Sequence, residues 1–289
     1  MSRELAATPR ATQWKLRTRK IEFGELPCIM GIVNVTPDSF SDGGHYFTPN
    51  SAIEHALRLE DEGADILDFG GESTRPYSQP VAVDDELRRI VPVLEALIGR
   101  LSIPISIDTS KSEVARAAIG LGAEIINDVT GLEHDPAMIE VAVNSEAGVC
   151  TMHMRGTPQT MQHDPTYTNV VAEIFDYLAA RDAALLRAGI APERICLDPG
   201  IGFGKTHEHN LELVRASQIF LGLNRPVLVG HSRKGFIGKL IGNKEVNRDA
   251  GTLGITLVLA RLGIQIVRVH DVQATRHALT TFQACGGFA

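Results

Sequence analysis

Cys28-Ile-Met-Gly-Ile-Val-Asn-Val-Thr-Pro-Asp-Ser-Phe-Ser-Asp-Gly-Gly44 changes character half-way along. Its first half is an unbroken apolar run of the kind that forms a strand buried on both faces in a parallel sheet; its second half is polar and glycine-rich, as a loop is. A buried strand therefore delivers a loop. At the junction stands Asn34, whose side-chain oxygen is a neutral ligand for a hard cation, and Asp38, Ser39, Ser41 and Asp42 follow it. One such unit alone would read equally well as a core strand with an ordinary surface turn.

The unit recurs. A helical stretch over residues 51–63 stops at Gly63, and Ala64-Asp-Ile-Leu-Asp-Phe-Gly70 repeats the buried strand, ending in the polar loop Gly71-Glu-Ser-Thr-Arg-Pro-Tyr77. The helix predicted over residues 84–99 carries Asp84, Asp85 and Glu86 in its first turn, where carboxylates interact favourably with the helix dipole. Further predicted strands cover residues 104–109, 123–129, 148–154, 194–199, 226–232 and 264–270, with helices between them and one after the last. Eight alternating strand–helix units with no linker predict the α/β class and a single (β/α)8 TIM barrel over residues 21–289. A short N-terminal extension, residues 1–20, is expected to be flexible. A doubly wound open sheet uses the same elements and is the alternative.

Composition narrows the function. A chain of 289 residues with a net charge of −7 lacks the basic footprint of a nucleic-acid or anionic-membrane binder. No apolar run is long enough to span a bilayer. Cys28, Cys150, Cys196 and Cys285 form no Cys-x-x-Cys pair, and three fall in predicted strands, which reads as a reduced, cytoplasmic protein.

In a barrel all strand carboxyl ends open on one face, so Asn34, Asp68, Asp108, Asn127, Asp198, Lys234, Arg268 and His270 are expected to converge there. Lys234, Arg268 and His270 supply donors and positive charge for an anion such as a phosphate. Asp108, Asn127 and Asp198 are acceptors set in apolar strands, suited to a flat heterocycle rich in N–H groups. Asp108 could instead cap the next helix, a role Thr109 or Ser110 could share. Three tempting motifs fail on spacing. Gly200-Ile-Gly-Phe-Gly-Lys-Thr206 has Pro199 where a nucleotide-binding loop needs its first glycine, and Ser232 has one residue too many after it for a nucleophile elbow. His207 and His209, two apart on a helix, face different ways.

Met30-Gly-Ile-Val-Asn-Val-Thr-Pro-Asp-Ser-Phe-Ser-Asp-Gly-Gly44, Gly70-Gly-Glu-Ser-Thr-Arg-Pro76, Ile107-Asp-Thr109, Ile126-Asn-Asp128, Met152-His-Met-Arg-Gly-Thr-Pro158, Leu197-Asp-Pro-Gly-Ile-Gly-Phe-Gly-Lys205, Ser232-Arg-Lys234 and Arg268-Val-His-Asp271 together resemble the dihydropteroate synthase family. The likeness runs from about Ile21 to the C-terminus. It implies condensation of 6-hydroxymethyl-7,8-dihydropterin diphosphate with 4-aminobenzoate in folate biosynthesis, with Mg²⁺, by a sulfonamide-sensitive homodimer. The resemblance implies that Asn34 binds the metal. Thr74, Asp108, Asn127, Asp198, Lys234, Arg268 and His270 would bind the pterin diphosphate. Phe40, Arg75, Pro76 and Ser232 would face the aminobenzoate, with Asp42, Arg75, Lys234, Arg268 and His270 carrying the chemistry.

Two positions depart from the family pattern: Tyr77 where a glycine is usual, and His231 where a small residue is usual. Tyr77 would stiffen its loop, because glycine tolerates backbone angles that tyrosine does not. His231 would either crowd the aminobenzoate side or turn into the core. A pterin-dependent methyltransferase with a corrinoid partner, and a catalytically silent pterin binder, compete with the synthase reading. The loop motifs and the intact charged set argue against both.

Overall fold

The computed structural model describes residues 10–36, 49–242 and 247–288. An antiparallel hairpin, β1 (Gln13–Lys15) and β2 (Lys20–Glu22), precedes eight parallel strands: β3 (Cys28–Asn34), β4 (Ile66–Gly70), β5 (Ile105–Asp108), β6 (Ile125–Asp128), β7 (Gly148–Met152), β8 (Ile195–Asp198), β9 (Leu228–Val229) and β10 (Ile266–Val269). The helices are α1 (Pro49–Asp61), α2 (Val83–Leu97), α3 (Ser112–Gly120), α4 (Met138–Ser145), α5 (Val170–Arg187), α6 (His207–Arg215), α7 (Gly235–Leu240), α8 (Asp249–Arg261) and α9 (Val272–Ala284). The sheet runs β8-β7-β6-β5-β4-β3-β10-β9, and a parallel bridge between Leu197 and Val227 joins its ends. The barrel closes. That bridge removes the open-sheet alternative, which would leave two edges.

Strand geometry then sorts the side chains. Successive residues point to opposite faces, so in β4 Leu67 and Phe69 pack under the helices while Ile66 faces the barrel axis. Asp68, two residues after Ile66, faces the axis as well. The same step places Asn127 above Ile125, Asp198 above Cys196 and Arg268 above Ile266. The barrel interior is consequently apolar at its amino end and polar at its carboxyl end.

The apolar end is plugged from below. Trp14 and Leu16 of the hairpin region are fully buried among Met30, Ile66, Ile125, Cys150, Cys196, Leu228 and Ile266, and Trp14 Nε1 donates to the Arg194 carbonyl at 2.8 Å. Gly148 makes room for this plug, since a Cβ there would lie 2.8 Å from Leu16. The boundary expected at residue 20 thus falls inside the hairpin, and the chain from Arg10 onward packs with the barrel instead of extending from it.

Candidate active site

Arg268 lies across the polar end of the barrel interior. Its Nε donates to Asp68 Oδ2 at 2.6 Å and its Nη2 to Asp108 Oδ2 at 2.8 Å, while Asn127 Nδ2 donates to the same Asp68 oxygen at 3.0 Å. One guanidinium thus binds two buried acids and, through one of them, an amide. Asp108 does not cap a helix: Thr109 Oγ1 accepts from the Lys111 N–H, and the Ser112 N–H at the start of α3 is taken by Asp135. Asp128, next to Asn127, takes both the N–H and the hydroxyl of Thr130, so it serves a turn.

The loop after β8 forms the opposite wall. Asp198 Oδ1 accepts from the Gly200 N–H at 2.7 Å, and Lys234 places its Nζ 4.0 Å from the centre of the Phe203 ring. Gly200 and Gly204 have φ of +70° and +65°, and a Cβ on either would strike a carbonyl oxygen, His153 at 2.0 Å or Arg155 at 2.4 Å. Only glycine allows this turn. Gly230 lines the mouth, where a Cβ would lie in ordinary contact with Arg268 at 3.9 Å and Asp198 Oδ2 at 4.0 Å.

His270 and Ser232 meet at the rim, with Nδ1 and Oγ 2.9 Å apart. Thr74 is half-buried, and Arg75 and Pro76 are exposed on the loop after β4. This loop docks on the segment after β7, where Tyr77 N–H donates to the Pro158 carbonyl at 2.9 Å and Gln159 Nε2 to the Ser78 carbonyl at 2.8 Å. Tyr77 has φ +65°, the left-handed conformation for which glycine is the easy residue. His231 has turned into the core, its Nε2 2.9 Å from Thr256 Oγ1, and so stays clear of the mouth. Asn34 sits half-buried at the mouth end of β3, in register with Gly70, which in turn is in register with Asp108. Phe40 and Asp42 lie outside the described residues.

Burial sets the protonation states. It pushes the carboxyls of Asp108, Asp128 and Asp198 up to about 7, 6 and 6, with Arg268 opposing the shift at Asp108 and the Gly200 N–H opposing it at Asp198. Burial pushes His153, His231 and His270 down to about 3, 4 and 3; Arg233 and Arg268 add to the shift at His270. It also pushes Lys234 down to about 8, with Arg268 adding to the effect.

The two sets work in opposite directions. The lowered histidines contribute stability that is complete above 6.5 and lost as pH falls through their folded values, whereas the raised carboxyls contribute stability that is complete below 3.8 and lost as pH rises through theirs. Between about pH 4 and pH 6.5 the slopes oppose each other, so the melting temperature is expected to change little there. Binding of a ligand that donates to Asp198 should nevertheless weaken below its value of about 6. A melting temperature falling steeply across that window would contradict the assignment.

A family model described as pterin binding enzyme covers residues 30–270. The dihydropteroate synthase of Escherichia coli K12 is 45% identical over 258 residues, covering 89% of this chain and 91% of that one. The chain belongs to the dihydropteroate synthase family. The solved structure of the Xanthomonas albilineans dihydropteroate synthase with 4-aminobenzoic acid superposes with a TM-score of 0.88 at 43% identity, covering 96% of this chain and 98% of that one. That of Burkholderia cenocepacia, complexed with 7,8-dihydropteroate, gives 0.86 at 42% identity over 96% and 98% of the two chains.

Two features of this dihydropteroate synthase site escape the sequence reading. Asp68 is named there only for its place at a strand end, yet it is the fully buried acceptor that joins Arg268 to Asn127. Its position two residues after Ile66 is the signal that could have placed it inside. Lys111 Nζ bridges Glu72 and the fully buried Glu86, each at 2.5 Å, and so ties the Glu72–Pro76 loop to α2. Nothing local in the sequence joins those three residues.

Proposed function

We propose that this chain condenses 6-hydroxymethyl-7,8-dihydropterin diphosphate with 4-aminobenzoate, forming 7,8-dihydropteroate and diphosphate. The observation that carries this reading is the single mouth in which Asp108 and Asn127 stand on one wall and Asp198 and Lys234 on the other, with Arg268 between. Acceptors and an apolar ring face suit a flat heterocycle, and the cations at the rim suit its departing anion.

Asp198 accepts from the ring N–H edge through Oδ2, while the Phe203 ring lines one face and Lys234 donates to a ring acceptor. As the bond from the pterin methylene carbon to the diphosphate oxygen breaks, its electron pair leaves with the diphosphate. His270 at the rim and Arg268 through Nη1 stabilise the growing negative charge. The aminobenzoate nitrogen then bonds to the methylene carbon and releases a proton to water. Arg75 holds the aminobenzoate carboxylate and Ser232 its ring edge, and the bound pose supplies the alignment. Thr74 contacts the diphosphate and Pro76 faces the second substrate, the substrate to which the family resemblance also assigns Phe40 and Asp42.

Among the described residues no three His, Cys, Asp or Glu side chains form a group that could hold a metal ion. Asn34, half-buried at the mouth end of β3, offers a neutral side-chain oxygen that would hold Mg²⁺, a cation that ordinarily takes few protein ligands. When bound it neutralises charge on the diphosphate. Incubation with the pterin diphosphate, Mg²⁺ and 4-aminobenzoate is expected to release diphosphate only when the amine is present. Tight pterin binding without amine-dependent release would instead make the chain a silent binder.

The same reading makes it a cytoplasmic homodimer. Leu240 and Ile241 at the end of α7 and Val258 on α8 are 55%, 45% and 46% exposed, and Ile241 approaches α8 at Gly251, one heptad before Val258. An apolar face of this kind suits a second copy. Val258→Asp is expected to halve the mass measured by light scattering; an unchanged dimer would place the interface elsewhere.

A further inference from the structure

Lys205 stands behind the pocket, and no step above uses it. It is 2% exposed, and its Nζ reaches the Phe203 carbonyl at 2.8 Å, His153 Nδ1 at 3.0 Å and the His153 carbonyl at 3.2 Å. An ammonium has three N–H donors, and each has an acceptor here. All three acceptors are uncharged. Burying an ammonium without a bonded carboxylate is costly, so the position calls for a reason. The attraction that opposes this cost comes from Asp198, while burial, Lys234 and Arg155 push Lys205 well below its ordinary value. His153 accepts at Nδ1, which leaves its proton on Nε2, and its ring packs edge-on against Tyr177 at 4.8 Å.

We propose that Lys205 is a positioning residue for the pterin pocket: it ties the turn carrying Phe203 to the chain after β7 and keeps Asp198 ionised to accept from the ring. The tie acts through the Phe203 carbonyl on the ring under Lys234 Nζ. The charge acts on Asp198, whose carbonyl accepts from the His153 N–H at 3.1 Å, so that the acid and the ammonium hold the same residue; Asp198 also faces the Gly200 N–H from its own loop, Lys234 from the turn after β9 and Arg268 from β10. Lys205 in turn faces Asp198, Lys234, Arg155 and His153. This inference rests on the pterin reading above.

The test is a calorimetric titration of wild type, Lys205→Met and Lys205→Arg with the pterin diphosphate alone, from about pH 5 to pH 8, after circular dichroism has established that each variant folds. Lys205→Met is expected to weaken binding about tenfold or more at neutral pH and to move the acidic loss of binding upward by roughly half a unit, while Lys205→Arg leaves that limb in place. In turnover, the KM for 4-aminobenzoate should change less than about threefold. A folded Lys205→Met that binds within about twofold of wild type at every pH overturns the proposal, and so does weakening of both variants with the limb unmoved. If Lys205→Met does not fold, Lys205→Arg decides: an unmoved limb supports the charge role and a displaced one overturns it. Wild type that fails to bind the pterin diphosphate refutes the proposed function itself, an outcome read separately from the comparison between variants.

Discussion

Arg268→Met is expected to lower kcat/KM by about 10³-fold or more and to destabilise the fold by about 3–5 kcal/mol. Asp68 is fully buried and Asp108 is 8% exposed, and the Arg268 guanidinium holds an oxygen of each at 2.6 and 2.8 Å. Methionine fills similar space but leaves two carboxylates facing each other in the barrel interior. Removing one partner of a buried pair costs more than the pair is worth, because the remaining charge has lost its solvent as well. Urea unfolding measures the stability loss, which should shrink as pH falls through the Asp108 value of about 7 and that acid takes up a proton. Adding Asp68→Asn should recover a large part of the stability and none of the activity. Arg268→Met unfolding within about 1 kcal/mol of wild type would mean that Arg268 does not compensate buried charge in the barrel interior.

Lys234→Ala is expected to reduce kcat/KM by about 10²–10³-fold while costing little stability. The side chain is half-buried, its cation lies 4.0 Å from the Phe203 ring, and no carboxylate forms an ion pair with it among the described residues. Its loss therefore breaks no ion pair, and Asp198, the buried acid it faces, keeps the Gly200 N–H. Because its ammonium titrates at about 8, wild-type kcat/KM should fall above that pH, and the alanine variant should lack this basic limb. Comparing the two pH profiles separates Lys234 from Arg268, whose charge persists throughout. Retention of the limb in Lys234→Ala, or activity within about threefold of wild type, would remove Lys234 from the pocket.

Much of the arrangement is legible in the chain because it is locally encoded. Residues 28–34 read as a buried strand, and β3 spans Cys28–Asn34. The acids of the predicted second helix fall in the first turn of α2. Asp108, Asn127, Asp198, Lys234 and His270 come to one mouth because strand ends in a parallel barrel share a face. Thr206 and His209 form a capping box at the start of α6, so that histidine has a local structural task.

The rest depends on contacts that no local pattern records. Strands covered on both faces read as near-continuous apolar runs, which erases the alternation that would reveal which residues point inward. Sequence alone determined that eight strand–helix units exist and which polar residues end them, since composition, helix stops and β-branched runs act over a few neighbouring residues. Closure and register decided that Asp68 and Asp108 share Arg268 while Asp128 turns to Thr130, that Trp14 seals the base, that His231 faces away from the mouth, and that Lys205 lies beneath Phe203. Each of those outcomes joins groups far apart in the chain, and the burial that fixes them exists only once the barrel has closed.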